Sequence, residues 1–221
     1  MVTPGPTLTL LHTSPVHVPV FDGLRDQDHP GFALRHLVHP DLLARARAEG
    51  PDTVAGEVEA LLKRAVADGA SAVLCTCSTI GAVAESLAPA AGVPVLRVDR
   101  PMAAAAVAAG RSVAVVATVE STLEPTVALV EEEAARAGRP VDITTVLVDG
   151  AWERFEAGDQ DGCARLVALA VDGLAGVDAV VLAQASMADA ADRTTLPVPV
   201  VSSPRPGLRA AVLRCGAEAK S

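Results

Sequence analysis

The sequence predicts an α/β fold of two pseudo-twofold-related lobes, each a parallel sheet flanked by helices, with a site in the cleft between them. Two observations lead to this prediction. Short apolar segments alternate with segments of helical spacing, which is the order of parallel strands joined by crossover helices. Strand ends in the first half of the chain also recur, in the same order, in the second half.

The predicted strands are apolar at nearly every position, which is typical of parallel strands covered by helices on both faces. Each is short, and each is followed by small or polar residues that predict a loop. The strand segments are 7–13, 33–38, 71–77, 93–98, 112–118, 142–148, 178–184 and 198–202.

The clearest predicted helix between these strands covers residues 53–68. Asp52 is a candidate N-cap for it, and Gly69 is the predicted C-terminal stop. A second helix is expected directly after the third strand, in the segment "STIGAVAESLA" that begins at Ser78. The residues predicted to share the buried face of the first helix are Val54, Val58, Leu61, Leu62, Ala65 and Val66.

The internal repeat rests on three landmarks at nearly constant spacing. The aligned positions are Thr13 with Thr118, Cys77 with Ala185, and Pro94 with Pro199, at offsets of 105, 108 and 105 residues. We therefore expect one lobe of residues 1–97, joined by a C-terminal helix at 206–221, and a second lobe of residues 98–205. Ligand sites of open α/β sheets lie beyond the carboxyl ends of the strands, and these landmarks fall there.

Composition excludes several classes of partner. The 221-residue chain has a net charge of −9 and only 2% aromatic residues, so it lacks the basic stripe and the stacking platforms that bind nucleic acids. The N-terminal segment has no signal-peptide pattern, and no apolar run approaches the length of a membrane span. We expect a soluble cytoplasmic protein whose four cysteines are free thiols.

Cys77 is the strongest candidate for chemistry. It stands where a predicted strand meets a predicted helix, and the positive end of the helix dipole favours a thiolate there. The N–H groups of Ser78 and Thr79 could hold a carboxylate. The alternative for Cys77 is a small core residue, which is the commoner role of cysteine in an apolar strand. Cys75 is predicted to pack below the site, and no further ligands point to a metal pair with it.

All five histidines fall in the first lobe. None forms a helical i, i+4 pair, so we predict packing or solvated histidines and no metal site. His12 and His17 lie near the loop after the first strand and are the two that could approach the site. The full set is His12, His17, His29, His36 and His39.

These motifs resemble the cofactor-independent aspartate/glutamate racemase superfamily, which includes hydantoin racemases, maleate isomerases and arylmalonate decarboxylases. The resemblance spans almost the whole chain. It rests on "HTSP" after the first strand, "CST" after the third, "ATVES" after the mid-chain strand, and "AQASMA" near residue 185. The resemblance implies two cysteines facing each other across a cleft, which exchange a proton on opposite faces of an α-carbon without pyridoxal phosphate.

By this resemblance, Cys77 is the first catalytic thiol, and Ala185 stands where the second is expected. The family also implies a cradle for the substrate carboxylate. Ser121 and Ser186 have an alternative role as helix caps, because both begin a Ser-x-x-acid pattern. The residues assigned to the cradle are Thr13, Ser14, Ser78, Thr79, Thr118, Ser121 and Ser186.

The predicted function is a cofactor-independent racemase or isomerase that acts on a small carboxylic acid, an amino acid or dicarboxylate, with Cys77 as acid/base or nucleophile. Two alternatives stay open. One is an arylmalonate-decarboxylase-like lyase, which would be the mirror case, since those enzymes carry their single thiol in the second lobe. The other is a member that binds a small acid without converting it. The resemblance also suggests a homodimer.

Overall fold

A computed structural model describes residues 5–218 of the chain, with side chains through residue 216. It divides into two compact units: unit 1 contains the chain up to Val98 and the C-terminal helix from Pro204, and unit 2 is Asp99–Ser203. The last residues of the predicted helix 206–221, residues 219–221, lie outside the described part. Within the described part, no helix combines the length and apolarity needed to cross a membrane.

All eight predicted strand segments form strands, and every strand pair is parallel. The strands are β1 (Thr7–His12), β2 (Ala33–Val38), β3 (Ala72–Cys75), β4 (Val95–Arg97), β5 (Ser112–Ala117), β6 (Asp142–Leu147), β7 (Ala179–Leu182) and β8 (Val200–Ser202). Unit 1 has the strand order β2-β1-β3-β4, and unit 2 has the order β6-β5-β7-β8. The predicted α/β class with two parallel sheets is confirmed.

Helices follow the strands in both units. They are α1 (His17–Asp28), α2 (Pro40–Glu49), α3 (Ala55–Ala67), α4 (Ser78–Ser86), α5 (Ala88–Ala91), α6 (Arg100–Ala109), α7 (Leu123–Ala137), α8 (Ala151–Glu156), α9 (Gln160–Asp172) and α10 (Pro204–Glu218). Short 3-10 turns occupy Pro51–Val54, Glu120–Thr122 and Ala185–Ala190. Helix α4 begins at Ser78, as predicted.

Each sheet is buried on both faces, which explains why its strands are apolar throughout. In β1, Leu10 packs in a cluster with Phe21 of α1, whereas the adjacent Leu11 packs in a different cluster with Val58 of α3. Successive side chains of a strand point to opposite faces, so these clusters cover opposite sides of the sheet. Unit 2 repeats this arrangement, with Val115 and Val116 of β5 in separate clusters.

The predicted helix at 53–68 is present, but its start differs from the prediction. Asp52 lies inside the 3-10 turn Pro51–Val54 and caps nothing, and Val54 occupies the N-cap position of α3 without a side-chain hydrogen bond. The preceding proline favours the tight turn, which moves the helix start past Asp52. Gly69 follows the helix with φ of +90°, a conformation that favours glycine, and confirms the predicted stop.

Helix α10 lies against the end of β4 through a glycine. A Cβ atom on Gly207 would lie 2.4 Å from the carbonyl oxygen of Val98, which is too close for any real contact. Gly216, in the same helix, has no neighbouring atom within 4 Å of the equivalent position. The close packing of α10 onto unit 1 therefore requires glycine at 207 and tolerates a side chain at 216.

The Gly207→Ala substitution should destabilise the protein by about 1–3 kcal/mol, because α10 or the Val98 backbone must shift to admit the methyl group. Gly216→Ala is the matched control and should leave stability unchanged or raise it slightly, through better helix propensity. Urea unfolding of both variants measures the difference. Equal stabilities for the two variants would contradict the close packing at Gly207.

Candidate active site

The register of the first sheet brings two loops of unit 1 to one edge. Leu11 of β1 lies opposite Cys75 of β3, and the N–H of Thr76 donates to the Leu11 carbonyl at 3.0 Å. Thr13 and Cys77 each stand two residues beyond this last paired position, so both leave the sheet at its carboxyl edge. This is the edge at which parallel α/β sheets bind ligands.

Cys77 links β3 to α4 in an extended conformation, with φ of −112° and ψ of 120°. Its side chain is half-buried, whereas Cys75 two residues earlier is fully buried and its thiol lies 3.7 Å from the Cys77 carbonyl oxygen. Helix α4 starts at the next residue and includes Thr79 in its first turn. Backbone N–H groups in a first turn have no acceptor within the helix, so this junction is suited to an anion.

Thr118 and Gln184 occupy the corresponding edge of unit 2. The backbone N–H of Thr118 donates to Gln184 Oε1 at 2.7 Å, and its hydroxyl donates to the same oxygen at 3.0 Å. Thr118 is buried and Gln184 is half-buried. Because both bonds hold the carbonyl oxygen, the orientation of the Gln184 amide is set, and its Nε2 group is left as the donor.

The strand register changes the predicted partner of Cys77 in the repeat. Leu8 lies opposite Ala72 in unit 1, and Val113 lies opposite Ala179 in unit 2. Thus β5 is offset from β1 by 105 residues and β7 from β3 by 107. The second offset pairs Cys77 with Gln184.

The predicted equivalence of Cys77 with Ala185 is therefore wrong by one residue. Ala185 corresponds to Ser78 instead, since each is the first residue of the helical segment after its strand. The two halves were aligned one residue out of register because this part of the chain is rich in alanine and valine. Offsets that differ by one residue therefore align similar residues almost equally well. The segment "LAQAS" at the end of β7 did indicate Gln184 as a candidate site residue. It is a polar side chain just after a buried strand, and such residues lie at the edge of the sheet where ligands bind.

The remaining cradle residues divide between the two units. Ser14 lies half-buried in the loop after β1, where its carbonyl accepts the N–H of His17 at 3.4 Å. Ser121 is exposed in the turn Glu120–Thr122, and Ser186 is half-buried in the turn Ala185–Ala190. Neither serine side chain caps its helical segment, so the alternative capping role predicted for both is not seen.

A buried polar network lies beneath the edge of unit 1. His12 is fully buried, and its Nδ1 atom lies 2.8 Å from the hydroxyl of Thr76, next to Cys77. Burial chiefly, with the nearby His36 and His17 rings, lowers the pKa of His12 to about 3. Burial also lowers the pKa of His17. Among the described residues, no three His, Cys, Asp or Glu side chains are arranged to hold a metal ion.

His36 and Asp22 complete this network, and the sequence did not single them out. The Nε2 atom of His12 lies 2.8 Å from Nδ1 of His36, and Nε2 of His36 lies 3.4 Å from a carboxylate oxygen of Asp22. In the sequence, the only indication of this network was the presence of histidines on two predicted strands. It could be used only if the pairing of those strands was already known. Among the predicted histidines, His12 and His17 do lie at the site edge, with ring centroids 6.4 Å apart.

Comparison with known proteins agrees with the resemblance seen in the sequence. The profile of the family described as Asp/Glu/Hydantoin racemase matches residues 18–211 of the chain. No curated protein matches it significantly.

Solved structures share its fold over nearly the whole chain. Aspartate racemase from Picrophilus torridus has a TM-score of 0.67 at 15% identity, covering 96% of this chain and 95% of that one. Glutamate racemase from Aquifex pyrophilus has a TM-score of 0.63 at 14% identity, covering 92% and 82%. Arylmalonate decarboxylase has a TM-score of 0.64 at 20% identity, covering 96% and 93%.

The buried His12 should make the protein less stable in mild acid. The unfolded chain takes up a proton on this histidine below pH 6.5, whereas the folded protein does not take it up until about pH 3. The free energy of unfolding therefore falls as the pH falls between these values. From pH 7 to pH 5 this amounts to at most about 2 kcal/mol of unfolding free energy. Urea unfolding at both pH values measures it. His12→Asn should lose this part of the pH dependence, and His39→Asn should keep it; equal pH dependence in both variants would contradict the assignment.

Cys77 should be the most readily alkylated thiol of the protein. Its side chain is half-buried, while Cys75, Cys163 and Cys215 are at most 1% exposed. Burial also raises the pKa of the Cys163 thiol, which lowers its reactivity further. Limiting iodoacetamide followed by peptide mass mapping ranks the four sites. Faster labelling of Cys163 or Cys215 than of Cys77 would be the contrary result.

Proposed function

Because the chain belongs to the Asp/Glu/hydantoin racemase family, we propose that it is an enzyme that transfers a proton at the α-carbon of a small carboxylic acid, with Cys77 as its acid and base. The single observation that carries this proposal is the position of Cys77. A partly accessible thiol stands at a strand-to-helix junction, next to the first turn of α4. Proton transfer on one face of an α-carbon needs a thiol of suitable basicity and donors for the carboxylate.

In the proposed reaction the Cys77 thiolate removes the α-proton, and the electron pair of the broken C–H bond moves into the carboxylate to form an enediolate. Negative charge then develops on the carboxylate oxygens. Thr13 and Thr79, at the same edge of unit 1, are proposed to donate hydrogen bonds to it. Fixed donors of this type commonly contribute about 10²–10³ each to the rate.

The residue of unit 2 that corresponds to Cys77 is an amide, so the repeat supplies one thiol and not two. A primary amide donates and accepts hydrogen bonds but takes up no proton near neutral pH, so Gln184 cannot act as the second base. Proton exchange should therefore occur on the face of the α-carbon that Cys77 approaches. Racemisation in the proposed enzyme would need a second proton carrier other than Gln184.

Gln184 also favours a second candidate function, decarboxylation of an α-substituted malonic acid. In that reaction the bond to one carboxyl group breaks, carbon dioxide leaves with no proton removed, and the resulting enediolate takes one proton from Cys77. A single thiol is sufficient for this sequence, whereas racemisation needs proton carriers on both faces. Arylmalonate decarboxylase is one of the proteins with the same fold. Cytoplasmic location and a homodimer stay predictions from the sequence.

The unmodified protein in deuterated water should exchange the α-proton of one enantiomer of an accepted acid much faster than that of the other. Cys77→Ala should reduce exchange by about 10²–10⁴-fold, because the acid/base is lost. Cys75→Ala is the matched control, since that thiol lies in the same segment but is buried. Gln184→Cys should bring exchange from both enantiomers, and hence racemisation. Proton NMR with a panel of amino acids, 2-substituted acids and malonic acids measures each result.

Release of carbon dioxide from a malonic acid, without exchange in monoacids, would select the decarboxylase. Equal exchange from both enantiomers in the unmodified protein would contradict the one-sided site. Binding of acids without exchange or carbon dioxide release would reject both enzymatic proposals and leave a binding protein.

A further inference from the structure

The polar network beneath Cys77 is a continuous chain of hydrogen-bonding groups. It runs from Asp22 on α1 to His36 on β2, then to His12 on β1 and to Thr76 after β3. The contact distances along it are 3.4, 2.8 and 2.8 Å. The inner end is fully buried and the outer end is not, since the side chain of Asp22 is 39% exposed. A proton taken up from solvent at the outer end can therefore change the bonding at the inner end.

The Thr76 hydroxyl has two acceptors and one proton. Its Oγ1 atom lies 3.2 Å from the Leu11 carbonyl and 2.8 Å from Nδ1 of His12, so it can donate to only one of them. Which one it chooses depends on the tautomer of His12, because a neutral imidazole carries one N–H.

Two arrangements satisfy the whole chain. In the first, Nδ1–H of His12 donates to Thr76, Thr76 donates to Leu11, and Nε2 of His12 accepts from Nδ1–H of His36. In the second, Thr76 donates to Nδ1 of His12, and Nε2–H of His12 donates to Nδ1 of His36. The first arrangement is complete when His36 is an imidazolium, which also donates to Asp22. The second is complete when His36 is neutral with its N–H toward Asp22.

We propose that Asp22, His36 and His12 form a proton-coupled relay that sets the direction of the Thr76 hydroxyl bond next to Cys77, with His12 as a positioning residue. In the first arrangement Thr76 holds the Leu11 carbonyl with both its N–H and its hydroxyl, whereas in the second only the N–H bond remains. Protonation of His36 thus adds a second hydrogen bond between the ends of β1 and β3. The consequence for catalysis rests on the proposed function, since these ends carry Thr13 and Cys77.

The charged groups around His36 decide which arrangement each pH favours. From α1, Asp22 faces it, and Arg25 pairs with Asp22 at 3.3 Å. From β1, His12 faces it and stays neutral, because burial lowers the pKa of His12 to about 3. His17 of α1 lies beyond His12, and burial lowers its pKa as well. The first arrangement holds one proton more than the second, so it belongs to lower pH and the second to higher pH.

Nitrogen NMR of the ¹⁵N-histidine-labelled full-length protein tests the relay directly. Between pH 5 and pH 8.5, His12 should change from the Nδ1–H tautomer to the Nε2–H tautomer as the pH rises, without passing through an imidazolium. A ring that keeps one tautomer throughout this range would overturn the proposal. The measurement needs no variant and no substrate.

Asp22→Asn supplies the second test at a partly exposed position. Removing the carboxylate should move the midpoint of the His12 tautomer change to lower pH, because a negative charge beside His36 is lost. Asp26→Asn is the matched control, since Asp26 also pairs with Arg25 but does not contact His36. Equal shifts in the two variants would contradict the relay.

These outcomes are separate from those of the proposed function. A tautomer change with neither α-proton exchange nor carbon dioxide release would support the relay and reject the enzyme. Exchange of the α-proton with a fixed His12 tautomer would support the enzyme and reject the relay. Where both hold, the pH profile of exchange should move with Asp22→Asn and not with Asp26→Asn, which a merely structural role of Asp22 would not produce.

Discussion

The parallel register of β1 with β3, and of β5 with β7, is the constraint from which the candidate site follows. Parallel strands end at the same edge of a sheet, so the residues that follow them gather there whatever their separation along the chain. Leu11 opposite Cys75 brings out Thr13 and Cys77 together. Val116 opposite Leu182 does the same for Thr118 and Gln184 in unit 2.

The two units place different functional groups at this edge. In unit 1 the residue two positions beyond the central strand pair is a partly accessible thiol, directly before a nine-residue helix. In unit 2 it is an amide whose carbonyl oxygen is occupied by two bonds from Thr118. A thiol exchanges protons near neutral pH and an amide does not, so the repeated strand order carries different chemical groups at the equivalent position of each unit.

Buried polar groups at the edge of unit 1 are present because they satisfy each other. An unpaired histidine or hydroxyl inside a sheet of leucine and valine would be destabilising, and hydrogen bonding to Thr76 and His36 removes most of that cost for His12. The same burial keeps His12 neutral. His12 therefore contributes to the stability of the sheet and also contacts Thr76, the residue next to Cys77.

The sequence by itself determined the α/β class, the eight strands, the start of α4 after Cys77 and the stop at Gly69, because these depend on local periodicity and on glycine geometry. It did not determine the start of α3, where a proline-led turn took the place of an Asp52 cap. Only the tertiary structure decided that Gln184, and not Ala185, corresponds to Cys77, since the spacing between strands differs in the two halves and only ladder hydrogen bonds fix the count. It alone brought Asp22, His36, His12 and Thr76 together, because contacts between residues so far apart in the chain follow from strand pairing, which local sequence does not encode.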